Sequence, residues 1–307
     1  MLSGASSFAS LVDDAFFFIL IISIIFFVGI VATMLFFVVR YHHTRNKKVA
    51  NIEGNLTLEI VWTVIPTLLV MGMFYYGFIG YDTMRNVPDD AMEITVTGRK
   101  WSWTFTYENG FQATTLTVPK GRAVKANIES EDVIHSFYIP AFRVKQDAVP
   151  GRDTYLWFRA TETGTFDILC TEFCGDRHAY MLSTVEVMSE SDYNTWYAGT
   201  SGEQITEGGD LSAAGEKLVT LKGCIACHSI DGSPRISPSF KGLYGKMETV
   251  YTDGKERQVL IDDAYIAKSI KEPAADKVKG FENIPMPPQP LSDDEIKAIT
   301  EYLKSIK

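Results

Sequence analysis

The sequence predicts a multidomain membrane protein: a two-helix transmembrane hairpin, an external β-sandwich and a small all-α C-terminal domain. Three observations carry this. Two long stretches near the start hold no charged side chain, short alternating segments fill the middle, and a capped amphipathic pattern closes the chain. At 307 residues there is room for two domains on length alone.

The uncharged stretches run from Ala15 to Val39 and from Ile60 to Tyr81. As helices they reach about 37 Å and about 33 Å, enough to cross a hydrocarbon core of about 30 Å. A signal peptide would need a basic start and a shorter apolar core, yet no Lys or Arg precedes Arg40. The connector carries Arg40, Arg45, Lys47 and Lys48, whereas the first residues carry only Asp13 and Asp14. The basic connector is expected in the cytoplasm. Both termini and both globular domains then face the periplasmic side of a bacterial inner membrane, with lipid around the spans. Pro66 is expected to kink the second span. His42 and His43, among basic residues, read as surface residues.

After the second span, "MEITVTGRKWSWTFTYENGFQATTLTVPKG" alternates apolar and polar residues between turn signals, and "AVKANIES", "DTYLWFRA", "GTFDILC" and "MLSTVEVM" behave alike. This density of short strands predicts an antiparallel sandwich or barrel ending near Met188. A short helix or turn and a Gly/Ser-rich linker follow. The last portion is helical, and Ser292 with Glu295 forms a capping-box pattern ahead of Ile296, Ile299 and Leu303. The expected domains are 1–84 (hairpin), 85–195 (β domain), 196–211 (linker) and 212–307 (helical domain). Most of the net charge of −9 lies in residues 85–209. That acidity disfavours nucleic acid and suits a cationic protein partner or a solvated face.

All four cysteines lie outside the spans, where two disulfides are the default. Their neighbours point elsewhere. "GCIACHS" holds Cys224, Cys227 and His228 in the Cys-x-x-Cys-His order that attaches c-type haem, two thiols for the vinyl groups and a histidine for the iron. A thioredoxin-like pair would need a βαβ setting. Met286 in "IPMPPQP" is the expected second axial ligand, since a proline-rich loop can hold a thioether rigidly; Met247 lacks that stiffening. Met/His ligation suits electron transfer. Residues 212–307 resemble a small class I cytochrome c, with Ser237-Pro238 where that family usually has Gly-Pro.

"CTEFCGDRHAYM" concentrates soft ligands, and His135 could converge on it. A four-residue step could put Cys170, Cys174 and His178 on a helical face, but Gly175 and the preceding strand favour a loop at a sandwich edge. Two Cys and two His would also satisfy one tetrahedral zinc. The full pattern of Cys170, Glu172, Cys174, His178 and Met181 resembles the dinuclear copper (CuA) signature of cytochrome c oxidase subunit II. "LEIVWTVIPTLLV", "GRKWSWTFTYENG" and "HSFYIPAFRVKQDAVPGR" agree, and the fused haem domain resembles the caa-type branch.

That resemblance implies a cupredoxin-like Greek-key domain with two coppers bridged by the thiolates of Cys170 and Cys174. His135 and His178 would be terminal ligands, Met181 a weak axial one and the Glu172 carbonyl the last. The Glu172 carboxylate would bind Mg2+ shared with the catalytic subunit. Trp101 would be the point of electron arrival, although Trp101 and Trp103, two apart on a strand, also suit a buried core. Glu59 would mark the entrance of a proton path, or be a plain interfacial acid. The implied role is subunit II of a haem-copper terminal oxidase. Electrons come from a soluble or membrane-bound cytochrome through haem c to the copper pair, and then to subunit I, which reduces oxygen beside other oxidase subunits. A CuA-containing nitric oxide reductase subunit, or a membrane-anchored redox carrier without an oxidase, are the alternatives.

Overall fold

The computed structural model describes residues 4–45, 54–200, 210–287, 289 and 291–307. Lys47 and Lys48 of the basic connector, and residues 201–209 of the expected linker, lie outside the described residues.

Two long helices open the chain: α1 (Ala9–Arg40, 32 residues) and α2 (Leu56–Arg85, 30 residues). Their apolar side chains, Ile25, Phe27, Leu68 and Phe74 among them, point outward. Such an outward apolar surface is stable in lipid, where each helix satisfies its own backbone hydrogen bonds. The helices meet near the ends facing the β domain, where Phe18 and Tyr76 lie 5.1 Å apart and Leu11 sits against Gly80. Pro66 lies inside α2, and its neighbour Thr67 donates its hydroxyl to the Thr63 carbonyl at 2.7 Å. Asn55 caps α2 by accepting from the Leu58 N–H.

Ten strands follow: β1 (Met92–Arg99), β2 (Ser102–Tyr107), β3 (Gln112–Ala113), β4 (Leu116–Pro119), β5 (Ala123–Ser130), β6 (His135–Ile139), β7 (Val144–Ala148), β8 (Thr154–Arg159), β9 (Gly164–Cys170) and β10 (Leu182–Met188). They form two five-stranded sheets, β3-β2-β1-β5-β8 and β4-β10-β9-β6-β7. Ile94, Val96, Trp103, Phe105, Phe137, Ile139 and Ile168 are buried between them. Alternation predicts which face of a strand is buried but not its partner. Two pairings expected to be antiparallel are parallel, β1 with β5 and β4 with β10, as strands distant in sequence join the two sheets.

The strand region ends at Met188, where the alternation stops. Helix α3 (Glu190–Thr200) then lays Tyr193, Trp196 and Tyr197 against Tyr107 and Phe111. It therefore belongs with the sandwich, and the expected domain boundary at residue 195 falls inside it.

The C-terminal portion packs α4 (Leu211–Leu221) against α6 (Asp293–Ser305), with α5 (Asp263–Lys271) beside them. Gly215 makes the α4–α6 crossing possible: a Cβ there would collide with the Ala298 carbonyl and come 2.7 Å from Tyr302 Cβ. Ser292 and Glu295 form the capping box that begins α6. This portion is not wholly helical. Strands β11 (Met247–Thr252), β12 (Lys255–Leu260) and β13 (Lys277–Val278) form a sheet in the order β12-β11-β13. The hairpin turns at Asp253-Gly254, both at positive φ.

Residues near the N-terminus tie the anchor to the β domain. Ala5 N–H donates to the Ala141 carbonyl at 2.9 Å, and Ser7 N–H to that of Arg159 at 3.0 Å. Phe8 packs edge-on to Trp157. Arg143 grips Asp13 through two nitrogens, at 2.8 and 3.1 Å.

Candidate metal centres

Three segments of the second sheet and its edge bring the soft donors together. His135 begins β6, Cys170 ends the neighbouring β9, and the following irregular loop carries Cys174 before a 3-10 turn at His178–Tyr180. Phe137 pairs with Cys170 across the strands, which fixes their relative height. The loop, not a helical face, thus gathers the ligands. Cys170 and Cys174 are free thiols with their sulfurs 3.8 Å apart. Cys170 Sγ lies 4.0 Å from His135 Nδ1, and Cys174 Sγ lies 3.5 Å from His178 Nδ1 and 3.8 Å from Met181 Sδ. The Cys170 thiol donates to the Glu172 carbonyl at 3.3 Å. His135 and Met181 are fully buried, and the Glu172 side chain is exposed.

The surroundings prepare this cluster for metal. His135 Nε2 lies 2.8 Å from the Asp132 carboxylate, which can only accept; Nε2 therefore carries the hydrogen and Nδ1 is bare toward the sulfurs. Asp132 is itself held by the N–H groups of Lys100 and Val133. The two thiols titrate as a pair. Burial opposes ionising Cys170, but its contacts with the His135 ring and with main-chain groups outweigh it and lower its pKa. Burial and the charge on Cys170 then push Cys174 up. With the sulfurs 3.8 Å apart, a bound cation would let both thiols ionise together.

Two glycines shape the site. A Cβ at Gly98 would come 2.9 Å from the Trp103 ring and 3.1 Å from that of His135. Gly175, at φ +115, lets the loop pass over Trp101, whose Nε1–H donates to the Cys174 carbonyl at 3.2 Å. Trp103 is buried in β2 as expected, but Trp101 is in the turn between β1 and β2, so the two do not share a strand face. The β1–β2 hairpin reverses at Lys100-Trp101, which alternation alone did not reveal. Asp132 and Gly98 were missed; an acid three residues before a candidate histidine was the available signal.

The other centre lies after α4. Gly223, at φ +71, ends the helix and opens a 3-10 turn at Cys224–Ala226, and the His228 N–H donates to the Cys224 carbonyl at 3.0 Å. His228 Nδ1 is 2.7 Å from the Pro238 carbonyl. A carbonyl only accepts, so Nδ1 holds the hydrogen and Nε2 keeps a free lone pair. Phe240 stacks on the ring at 4.4 Å, and burial lowers the imidazole pKa. Both thiols are unpaired. Bare Nε2 beside two free thiols fits a thioether-linked haem, with the Pro238 carbonyl as the orienting contact. Met286 is half-buried in a loop without regular structure, whereas Met247 is 56% exposed on β11. Glu59 is exposed in the first turn of α2, and His42 and His43 are exposed beyond α1, away from either cluster.

Three family profiles match the chain: the cytochrome c oxidase subunit II transmembrane domain over residues 1–78, its periplasmic domain over 111–188, and cytochrome c over 212–307. The chain is 31% identical over 268 residues to cytochrome c oxidase subunit 2 of Alkalihalophilus pseudofirmus, covering 83% of this chain and 75% of that one. It is 29% identical over 300 residues to the Bacillus subtilis protein of the same name, covering 88% and 81%. Among solved structures, the periplasmic domain of cytochrome oxidase subunit II of Bradyrhizobium japonicum matches 38% of this chain and 96% of that one, at 32% identity and a TM-score of 0.36.

Proposed function

The chain belongs to the cytochrome c oxidase subunit 2 family, and from that premise we propose how its own residues bring electrons into the oxidase. It is a membrane protein with two spans and the electron-transfer subunit of an oxidase complex, and it works beside other oxidase subunits. The family implies a dinuclear copper centre, and the C-terminal domain implies haem c. When bound, these groups would supply one-electron chemistry, taking electrons from an external donor toward the oxygen-reducing subunit.

His135, Cys170, the Glu172 carbonyl, Cys174, His178 and Met181 would hold the two coppers. The convergence of these six donors is the observation that carries the reading, because one tetrahedral zinc would use only four. Burial excludes water from His135, Cys170, Cys174 and Met181, and Asp132 fixes the His135 ring. A scaffold that does not move between oxidation states keeps reorganisation small. Cys224 and Cys227 would hold the haem covalently, and His228, through Nε2, and Met286 would be the side chains that bind its iron. The 56% exposure of Met247 disfavours it as a ligand.

Trp101 is the point of electron arrival at the copper site, supported by its hydrogen bond to the Cys174 carbonyl. Exposed Phe173, packed on the His178 ring, and exposed Tyr180 of the same turn suit contact with subunit I. The exposed Glu172 carboxylate is free to share a Mg2+ with that subunit, and Glu59 stands where a proton path could begin. The β domain, tied to residues 4–13, stands on the same side of the membrane as the start of α1. That arrangement supports a periplasmic placement of both globular domains. A soluble or membrane-bound cytochrome is the donor, and domain limits near 84 and 211 separate the three working parts.

The test is purification of the complex containing this chain. Oxygen consumption with a reduced cytochrome, and a partner subunit with several histidine-bearing spans, is the expected result. Reduction of nitric oxide in place of oxygen, or a chain isolated without such a partner, contradicts it.

A further inference from the structure

Among the described residues, the haem-bearing portion and the copper-bearing portion meet at the Arg99–Thr104 hairpin, and the chemistry there is specific. Thr104, on β2, donates its hydroxyl to the Leu221 carbonyl at the end of α4, at 2.9 Å. Arg99, at the end of β1, donates from Nη1 to Gln289 Oε1 at 2.5 Å while its Nη2 pairs with Glu131. Between these contacts Gly223 meets Ser102: a Cβ at Gly223 would collide with the Ser102 hydroxyl and lie 3.3 Å from Ser102 Cβ. Around them is a crevice of about 50 Å³, lined by Thr97, Arg99 and Ser102 from one side and Leu221 and Lys222 from the other.

The sequence position of these contacts matters more than their number. Gly223 immediately precedes Cys224, and Ser102 immediately follows Trp101. Trp101 in turn donates to the Cys174 carbonyl and lies under Gly175. A covalent and hydrogen-bonded sequence therefore runs from the haem-attachment loop, across the Gly223–Ser102 contact, through Trp101 to a copper-ligand residue. A side chain larger than hydrogen at position 223 would both strain a left-handed backbone and force the two surfaces apart.

We propose that the Arg99–Thr104 hairpin is a latch that fixes the haem-attachment loop against the copper domain, with Ser102, Thr104 and Gly223 as positioning residues. The two redox domains then work as one docked body and not as a tethered pair that must find each other at each turnover. The step served is a one-electron transfer in which ferrous iron becomes ferric as the copper pair is reduced by one electron, with no further reactant. The consequence for the donor is direct: it must approach the haem domain on a face other than the Leu221–Cys224 segment. This rests on the reading of Trp101 as the point of electron arrival.

The test uses the full chain, in its oxidase, with both metal centres loaded. Ser102→Trp drives bulk against Gly223, where the facing backbone leaves no room, and Thr104→Val removes only the hydroxyl donor, which keeps the test usable should the larger change impair folding. Hydrogen–deuterium exchange is followed in peptides spanning residues 98–107 and 217–224, beside the haem absorption bands and the copper resonance. The latch requires that both peptides lose protection together in each variant while the two spectra stay unchanged. With Trp101 as the point of electron arrival, haem-to-copper electron transfer after photoreduction is insensitive to solvent viscosity in the parent and becomes slower and viscosity-dependent in the variants. Unchanged exchange at residues 217–224 in both variants overturns the latch. Lost protection with an unchanged transfer rate upholds the docking contact but overturns the Trp101 route.

Discussion

Asp132 shows how far single residues decide the behaviour of this site. Its carboxylate holds His135 by Nε2, so the bare Nδ1 faces the sulfurs. Asp132→Ala should weaken copper binding by about 10–100-fold, read by competition against a chelator of known affinity; an unchanged affinity would show that the carboxylate does not orient the ring. The haem side gives a paired comparison. Met286→Ala should alter the visible spectrum and lower the reduction potential, because a thioether ligand raises it, whereas Met247→Ala should change neither. The reverse pattern would exchange the two assignments. The clustered donors were legible in the sequence because thiols, imidazoles and thioethers at short spacing are rare except where they bind something. Asp132 and Gly98 were not, since an acid in a loop ordinarily reads as solvated and a glycine in a strand says nothing of the ring packed against it. Trp101 was misplaced on a strand face for the same reason: alternation continues across a tight hairpin, and only pairing shows where the chain reverses.

At the scale of elements, the α4–α6 crossing and the added sheet carry the haem domain. Gly215→Ala forces a methyl into the Ala298 carbonyl and should cost about 1–3 kcal/mol. The check is denaturant unfolding followed through the haem signal; a variant as stable as the parent would mean the helices can separate without penalty. Asp276, next to β13, ties β11, β12 and α5 together through Thr252, Arg257 and Lys268. Burial alone would raise its pKa, but those hydrogen bonds outweigh it and bring the pKa down to about 2. A lowered carboxylate pKa gives stability that is complete above the ordinary value and is lost as pH falls through the folded-state value. Asp276→Asn should therefore destabilise the haem domain at neutral pH, with the difference shrinking as pH falls from about 4 toward 2. A penalty independent of pH across that interval would remove the ion pairs as its cause. The capping box and apolar periodicity announced α6, while the β11–β12 hairpin went unforeseen because its exposed, charged β12 lacks an apolar face.

At the scale of the whole molecule, the chain is a relay whose parts are joined by small, specific contacts. Residues 4–13 bind the anchor to the sandwich, the hairpin at Arg99–Thr104 binds the sandwich to the haem domain, and neither junction could be read from composition. Phe8→Ala removes the ring packed on Trp157 and should destabilise the β domain by about 3–5 kcal/mol. Thermal unfolding followed by copper release reads this, and an unchanged midpoint would make the N-terminal contact incidental. The order of the relay itself rests on what the two centres hold. The most direct measurement is metal content with electron paramagnetic resonance on the purified full chain. Two coppers for each haem iron, with one unpaired electron shared by both copper nuclei, is the predicted result. A single zinc, or one isolated copper, would contradict the paired centre and leave a membrane-anchored cytochrome whose β domain serves another purpose.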